Sequence, residues 1–306
     1  MQSTQTSVSA QPPRSQFRFT SQARAAWLFM LPSLTILAFF IVLPIFQAAW
    51  MALHDWTLAD LNPTFIGLKN FADLFKDDRF WNALQNTLVY TIGVVPGQII
   101  LALVFALILN ARLKGRTVFR GIYFLPVLVS FAVEAIVWRF LLDPDIGYIG
   151  YYSSVLGLPR IEWLRSPDWA MTAVILISIW RWFGFNLVIL LAGLQGISES
   201  YYEAAEVDGA NEVQKFRFIT LPLLRPSLLF ALINAVISAL QAFDQIYVLT
   251  RGGPMFSTET VVVYVYREGF INFDMGYAST AALVLFGIIF VITLGQLRIL
   301  RYQESF

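Results

Sequence analysis

Long apolar runs constrain this chain more than any other feature. Ile175–Leu194 and Leu228–Leu249 each reach the roughly 20 residues that a helix needs to cross a bilayer, and comparable runs lie elsewhere in the sequence. Inside hydrocarbon the backbone has no water to bond, so only helices and closed barrels can span it. Barrel strands alternate over about ten residues, whereas these runs are longer and continuous. The 306 residues are 58% apolar and 13% charged, about half the charged fraction of a soluble domain. The sequence therefore predicts an all-α polytopic membrane protein.

Six spans are expected, at about 26–53, 83–109, 119–142, 170–194, 228–249 and 277–300. They form a transmembrane domain over 25–306, preceded by a disordered cytoplasmic tail over 1–24 that is rich in Ser, Gln, Pro and Arg. The first run is too long for a signal-peptide core and lacks a clear cleavage site, so an uncleaved span is expected. Gly93, Pro96 and Gly97 predict close helix packing and a kink in the second span. Basic residues set the orientation. With the N-terminus inside, the inner segments carry twelve Lys and Arg against seven outside. Both termini then face the cytoplasm. Trp27, Trp56, Trp81, Trp163 and Trp169 fall near span ends, as an aromatic belt does. The net charge of +1 argues neither for nor against an anionic partner. With no cysteine, disulfides and thiol chemistry are excluded. His54, the single histidine, reads as an interfacial residue, since a metal site needs further ligands.

Between the fourth and fifth spans lies a polar loop, 198–226, which the charge count places in the cytoplasm. Ser200-Tyr201-Tyr202-Glu203 reads as a capping box opening one short helix, and Asn211-Glu212-Val213-Gln214 as a second. Gly209 suits the left-handed conformation that ends the first helix. Pro222 and Pro226 are expected to turn the chain into the next span. Tyr201, Tyr202, Ala204 and Ala205 surround the Glu203 carboxylate with groups that suit a socket in a partner. No G-x-x-x-x-G-K-[ST] run occurs in the sequence, so ATP binding by a P-loop is not expected.

Glu203-Ala204-Ala205, Asp208-Gly209-Ala210, Phe216, Ile219, Leu221-Pro222 and Pro226 resemble the EAA signature of bacterial ABC importer permeases. Asn70-Phe71, Phe80-Trp81, Asn86-Thr87, Phe119-Arg120, Leu125-Pro126 and Thr250-Arg251-Gly252-Gly253-Pro254 are similar to the maltose-permease-like, binding-protein-dependent branch. The resemblance covers nearly the whole chain. It implies a type I importer fold whose loop is a coupling helix, with Glu203, Ala204, Ala205, Asp208, Gly209 and Ala210 docked on a separate ATPase. It also implies a second homologous permease, two ATP-binding subunits and an extracytoplasmic solute-binding protein. ATP and Mg would be bound by the ATPase, leaving this chain without cofactor, metal or catalytic residue, in a bacterial inner membrane.

Ionisable groups within spans usually face a cavity or a partner. Glu134, Arg139, Arg181 and Asp244 are such groups. Glu134 and Arg139 are too far round a helix to pair, and Arg139 can snorkel. Arg181 and Asp244 suggest either an ion pair between spans or part of a solute site. Sugars present apolar ring faces and hydroxyl edges, which suit aromatic planes and polar side chains. Trp182, Phe185 and Asn186 share a helix face, and Ser238, Gln241 and Asp244 follow at three-residue spacing. The resemblance places Trp182, Asn186 and Gln241 at sugar-lining positions. The same stripe also reads as bundle core. The expected function is permease subunit of an ATP-driven sugar importer, moving a di- or oligosaccharide or glycosylated polyol by alternating access. A glycerol-phosphate importer, an ATPase-independent carrier or channel, and a membrane scaffold are the alternatives.

Overall fold

The computed structural model describes residues 21–303 apart from 58, 60, 61 and 112–114. Of the tail expected over 1–24, residues 1–20 lie outside the described residues, and 21–24 begin a helix. The chain forms two compact units, 1–47 and 48–306. From the first, α1 (Ser21–Leu37) passes through a π-helical turn, Ala38–Val42, into α2 (Leu43–Ala52), whose last five residues belong to the second unit.

The second unit opens with a small antiparallel hairpin, β1 (His54–Asp55) and β2 (Thr64–Phe65), followed by α3 (Lys69–Leu74). The His54 ring stacks on Trp50 at 4.0 Å and meets Phe65 edge-on, a packing role that fits an interfacial residue. Asn70 Nδ2 donates to the carbonyls of Ala52 and His54 at 3.0 and 3.1 Å, which fixes the hairpin base.

Three long helices make the core: α4 (Asp78–Asn110), α8 (Pro167–Gln195) and α11 (Leu221–Leu240). They approach closely because glycines stand at the contacts. A Cβ on Gly93 would sit 2.8 Å from Ile175 Cδ1, and one on Gly193 would sit 2.7 Å from Ser227 Cβ. Gly97 meets Ile179 in the same manner one helical turn on. The close packing expected at Gly93 and Gly97 is therefore present, against α8. Ser166 caps α8 and Pro167 stands at its first position, where a missing N–H costs nothing.

The third expected span, 119–142, is not one helix. It consists of α5 (Arg116–Leu128) and α6 (Phe131–Leu141), bent by 96° at Val129-Ser130. The chain then forms α7 (Tyr148–Val155) before α8. The fifth span also differs from 228–249. The helix ends at Leu240, and α12 (Asp244–Leu249) is a separate element. Thr260 Oγ1 donates to Ala242 O at 2.9 Å within this break. Two short helices, α9 (Glu199–Val207) and α10 (Glu212–Lys215), precede α11, and α13 (Val261–Tyr266) and α14 (Met275–Gln303) complete the chain. Among the described residues, five helices are long and apolar enough to cross a membrane, or six if the bent pair counts as one span.

A polar network joins the start of α4 to α13 and α14. Asp77 caps α4 by accepting the Arg79 N–H at 2.8 Å, and it accepts the hydroxyls of Tyr264 at 2.5 Å and Tyr277 at 3.1 Å. Arg79 holds the buried Glu259 with two bonds of 2.8 Å, and Arg267 approaches the same carboxylate at 3.3 Å. Burial works to raise the Asp77 pKa, but the Tyr264 hydroxyl and the backbone amides outweigh it and hold the carboxyl below its ordinary value. A lowered pKa contributes stability above the ordinary value that is lost as pH falls through the native one. Asp77→Ala should therefore destabilise the protein by about 1–2 kcal/mol near neutral pH. In thermal unfolding of the detergent-solubilised protein, its deficit should shrink below about pH 4.

Candidate functional site

The polar segment after α8 folds as a helical hairpin. α9 begins two residues earlier than its sequence suggests. Ser198 is the N-cap, and the Ser200 hydroxyl bonds to Ser198 Oγ at 2.8 Å rather than to a backbone amide. The capping box expected at Ser200–Glu203 is therefore absent, because those residues already lie inside the helix. Glu203 projects as an exposed side chain, with Tyr201, Ala204 and Val207 also exposed.

The C-terminus of α9 closes as expected. Gly209 takes φ +76. Ala210 N–H donates to Ala205 O at 2.9 Å and Gly209 N–H to Glu206 O at 3.0 Å, the paired bonds of a Schellman motif. Asp208 is the exposed C-cap residue. The capping box at Asn211 forms too: Asn211 Oδ1 accepts from Gln214 N at 2.9 Å, and Gln214 Oε1 accepts from Asn211 N at 2.8 Å. Lys215, a buried side chain, donates to Glu206 at 2.7 Å and Glu212 at 3.0 Å, tying α10 back to α9. The Tyr202 hydroxyl bonds to Thr220 Oγ1 at 2.9 Å.

No proline joint follows. Glu212–Leu240 is continuous helix, with a π-helical turn at Phe216–Thr220. Pro222 is the second residue of α11 and so lies inside that continuous helix, where it offers no N–H to the ladder. The wider π turn immediately before it loosens the hydrogen-bond ladder at the same place.

Within the helical core, a cavity of about 160 Å³ lies between α4, α8, α11 and α12. Trp182, Phe185, Asn186 and Ser238 line it, so four of the seven residues read as solute-contacting converge. The Trp182 and Phe185 rings meet edge-on, 6.5 Å apart. Gln241 does not join them, because α11 has already ended at Leu240. It faces a separate apolar groove beside Val262 and Leu285. Asp244 is exposed and outside the cavity wall. The wall also holds Tyr90, Gln98, Asn234 and Gln245. Tyr90, Val94 and Gln98 recur every fourth residue on α4, as Asn234 and Ser238 do on α11. Such isolated polar groups on one face of an apolar helix were the available signal.

Arg181 is excluded from the cavity by its partners. It forms an ion pair with Glu134 of α6, not with Asp244. It also donates to Pro126 O at 3.0 Å and Val129 O at 3.1 Å. Those carbonyls belong to the broken end of α5, whose next turn is missing. Phe131 and Trp182 rings flank the guanidinium at 5.2 and 5.4 Å. Both charged side chains are under 10% exposed. Arg139 is exposed and makes no pair with Glu134.

Residues 79–301 match the model of the binding-protein-dependent transport system inner membrane component. The chain belongs to this family. The match includes the hairpin, the broken helices and the cavity. Among the family's curated members, the trehalose/maltose transport system permease protein MalF of Thermococcus litoralis is 37% identical over 285 residues, covering 93% of this chain and 96% of that one. The sulfoquinovosyl glycerol transport system permease protein SmoG of Agrobacterium fabrum is 35% identical, covering 91% of each. A bacterial alginate ABC transporter, solved in complex with an alginate pentasaccharide-bound periplasmic protein, aligns with a TM-score of 0.77 at 25% identity over 90% of this chain and 93% of that one. The fold is that of a type I importer permease, an inner membrane component in the family's own description.

Removing one member of a buried ion pair leaves the other charge unpaired, at a cost of about 3–5 kcal/mol. Arg181→Met should show a loss of that size, because it also removes the side-chain donor from two carbonyls, of which Pro126 O keeps the Val129 N–H. Arg181→Met combined with Glu134→Met should recover part of it, giving a coupling of about 1–3 kcal/mol. Unfolding in detergent of the two single variants and the double variant measures this directly.

Proposed function

We propose that this chain is the transmembrane permease subunit of an ATP-driven importer that carries a sugar or sugar-like solute into the cytoplasm. The solute class is a di- or oligosaccharide or a glycosylated polyol. The named solutes of the similar permeases support a carbohydrate, and the aromatic and amide lining of the cavity is chemistry that suits one. The observation that carries the reading is the hairpin of α9 and α10. It is polar and exposed at its tip, closed by Gly209, and continuous with a membrane-spanning helix.

In this reading, α9 with Glu203, Ala204, Ala205, Asp208, Gly209 and Ala210 is the coupling surface for a separate ATPase, which binds ATP and Mg. The basic-residue asymmetry favours this hairpin, and both termini, on the cytoplasmic side. An extracytoplasmic binding protein delivers solute at the opposite face, as the periplasmic partner of the alginate transporter suggests. The cavity is smaller than the roughly 300 Å³ at the low end of ligand pockets, which fits a half-site completed by a second permease. ATP binding closes the ATPase pair, the hairpins follow, and the two permeases rock about the solute as near-rigid bodies. A phosphorylated solute is disfavoured here, since Arg181 is occupied by Glu134 and by backbone carbonyls.

Two sets of variants test the coupling and the site. Gly209→Pro removes a left-handed residue and its N–H bond to Glu206, neither of which proline can supply. Uptake and ATPase stimulation should be lost while membrane insertion persists. Because Glu203 makes no cap, Glu203→Ala should change thermal stability by less than about 0.5 kcal/mol yet lower solute-stimulated ATP hydrolysis. Normal hydrolysis in both variants would refute the docking role. At the cavity, Asn186→Ala should raise the uptake KM at least about tenfold, the loss of one buried polar contact. Gln241→Ala should leave uptake unchanged; the reverse pattern would refute the assignment.

A further inference from the structure

We infer that the Arg116 end of α5 binds an anionic phospholipid, whose phosphate is held by Arg120 and Arg116. The inference goes beyond the transport reading and does not depend on the solute. Arg120 stands in the second turn of α5. Its Nε and Nη2 are closed off from water and have no hydrogen-bond partner. Among the described residues, neither Arg120 nor Arg116 forms an ion pair. An ionised group kept from water without a counterion is costly, and an arginine does not escape by losing its proton. The site calls for an acceptor that the described residues do not supply.

The surroundings explain why none is at hand. On α5 the half-buried residues Arg120, Tyr123, Phe124 and Val127 form one stripe, and that stripe faces α8. Contacts between the two helices run in reverse order: Arg181 bonds to Pro126 O, and Gly184 abuts the Tyr123 backbone. One turn further, Arg120 comes level with residues 187–191 of α8, which are all apolar. Tyr123 also packs on Phe105 of α4 at 4.9 Å, and residues 103–109 there are apolar too. No Asp or Glu occurs between Arg79 and Glu134 or between Asp168 and Glu199. Glu199 itself lines the cleft under the hairpin with Glu206 and Lys215.

The chemistry of the missing acceptor is that of a lipid phosphate. Arg116 precedes Arg120 by four residues on the same helix face and is exposed, and the first turn of α5 holds no acid. Two like charges at that spacing repel until an anion sits between them. A guanidinium fork matches two phosphate oxygens at once. Beside the pair, Val118, Phe119 and Ile122 are exposed apolar side chains, suited to acyl chains and of no use to a free phosphate. α5 and α6 together qualify as a membrane span, so lipid is the neighbour of that face. Two cations without an acid favour a headgroup of net negative charge, phosphatidylglycerol over phosphatidylcholine, whose choline they would repel. In the orientation that the basic residues favour, this end of α5 lies in the cytoplasmic leaflet.

The full chain, purified in neutral detergent with the subunits it assembles with, is titrated with palmitoyl-oleoyl phosphatidylglycerol or phosphatidylcholine, and bound lipid is counted by native mass spectrometry. Each basic residue at an anionic lipid surface is worth about fivefold in affinity. Through the two arginines, phosphatidylglycerol should bind at least about tenfold more tightly than phosphatidylcholine. Arg120→Met and Arg116→Met should each lower that preference about fivefold, whereas Arg139→Met, at the far end of the bent pair, should leave it unchanged. Absence of a preference in the unsubstituted complex overturns the inference, as does a preference that survives Arg120→Met. Should Arg120→Met fail to assemble, Arg116→Met decides, and an unchanged preference there overturns the inference. Displacement of the lipid by millimolar inorganic phosphate at constant ionic strength assigns the site to a free anion and overturns it too. Release of a partner subunit from the Arg120→Met complex, with lipid binding unchanged, overturns it in favour of a carboxylate on that subunit.

Discussion

A helix that breaks inside a bilayer leaves carbonyls with no water to bond, and the cost of each is several kcal/mol. The junction of α5 and α6 is a break within an apolar run, and Arg181 meets two of its carbonyls. One guanidinium from α8 serves Pro126 O and Val129 O and meets Glu134 across the bend. The same contact fixes α5 against α8. Nearby, a Cβ on Gly184 would sit 2.8 Å from the Tyr123 carbonyl carbon, so the two backbones nearly touch. With α5 and α8 set, α8 presents Trp182, Phe185 and Asn186 to α4 and α11. The position of the cavity thus depends on a charge pair that never enters it.

The second break, between α11 and α12, is held by different chemistry. Thr260 reaches Ala242 O at 2.9 Å, and Thr87 of α4 accepts the Val261 N–H at 2.9 Å. Only uncharged groups meet the break here, from the start of α13 and from α4. The break releases Gln245 from the register of α11 and lets it join the cavity wall.

The long elements were legible in the sequence because their signals were redundant. Runs of apolar residues, span-end tryptophans and the Gly93/Gly97 pair all pointed one way, and α4, α8 and α14 lie close to their expected bounds. The Asn211 capping box and the left-handed Gly209 were legible because each depends on a local pattern with a single geometric solution. The failures share a cause. Ser200 and Glu203 satisfy the spacing of a capping box, but Ser198 satisfies the need for an N-cap first, and spacing alone cannot rank the two. Gln241 shares a helix face with Ser238 only if the helix continues, and nothing in Ala239–Phe243 announces that it stops. Arg181 was read with Asp244 because both sat in neighbouring spans. Its true partner, Glu134, lies beyond a bend that the apolar run at 119–142 conceals. Tertiary contacts decided each of these positions.

The unbroken helix from Glu212 to Leu240 has a mechanical meaning. At 1.5 Å per residue its 29 residues make a rod of about 43 Å. Lys215 and Tyr202 fasten α9 to one end of that rod, and Asn234 and Ser238 stand near the other. Pro222 and Pro226 would be natural places for a universal joint, yet the helix passes through both. A tilt of about 10° imposed at the hairpin would sweep the far end by roughly 7 Å over a rod of this length. In the importer reading, the cavity wall and the exposed hairpin are two ends of a single lever, joined by helix that includes one π turn and two prolines.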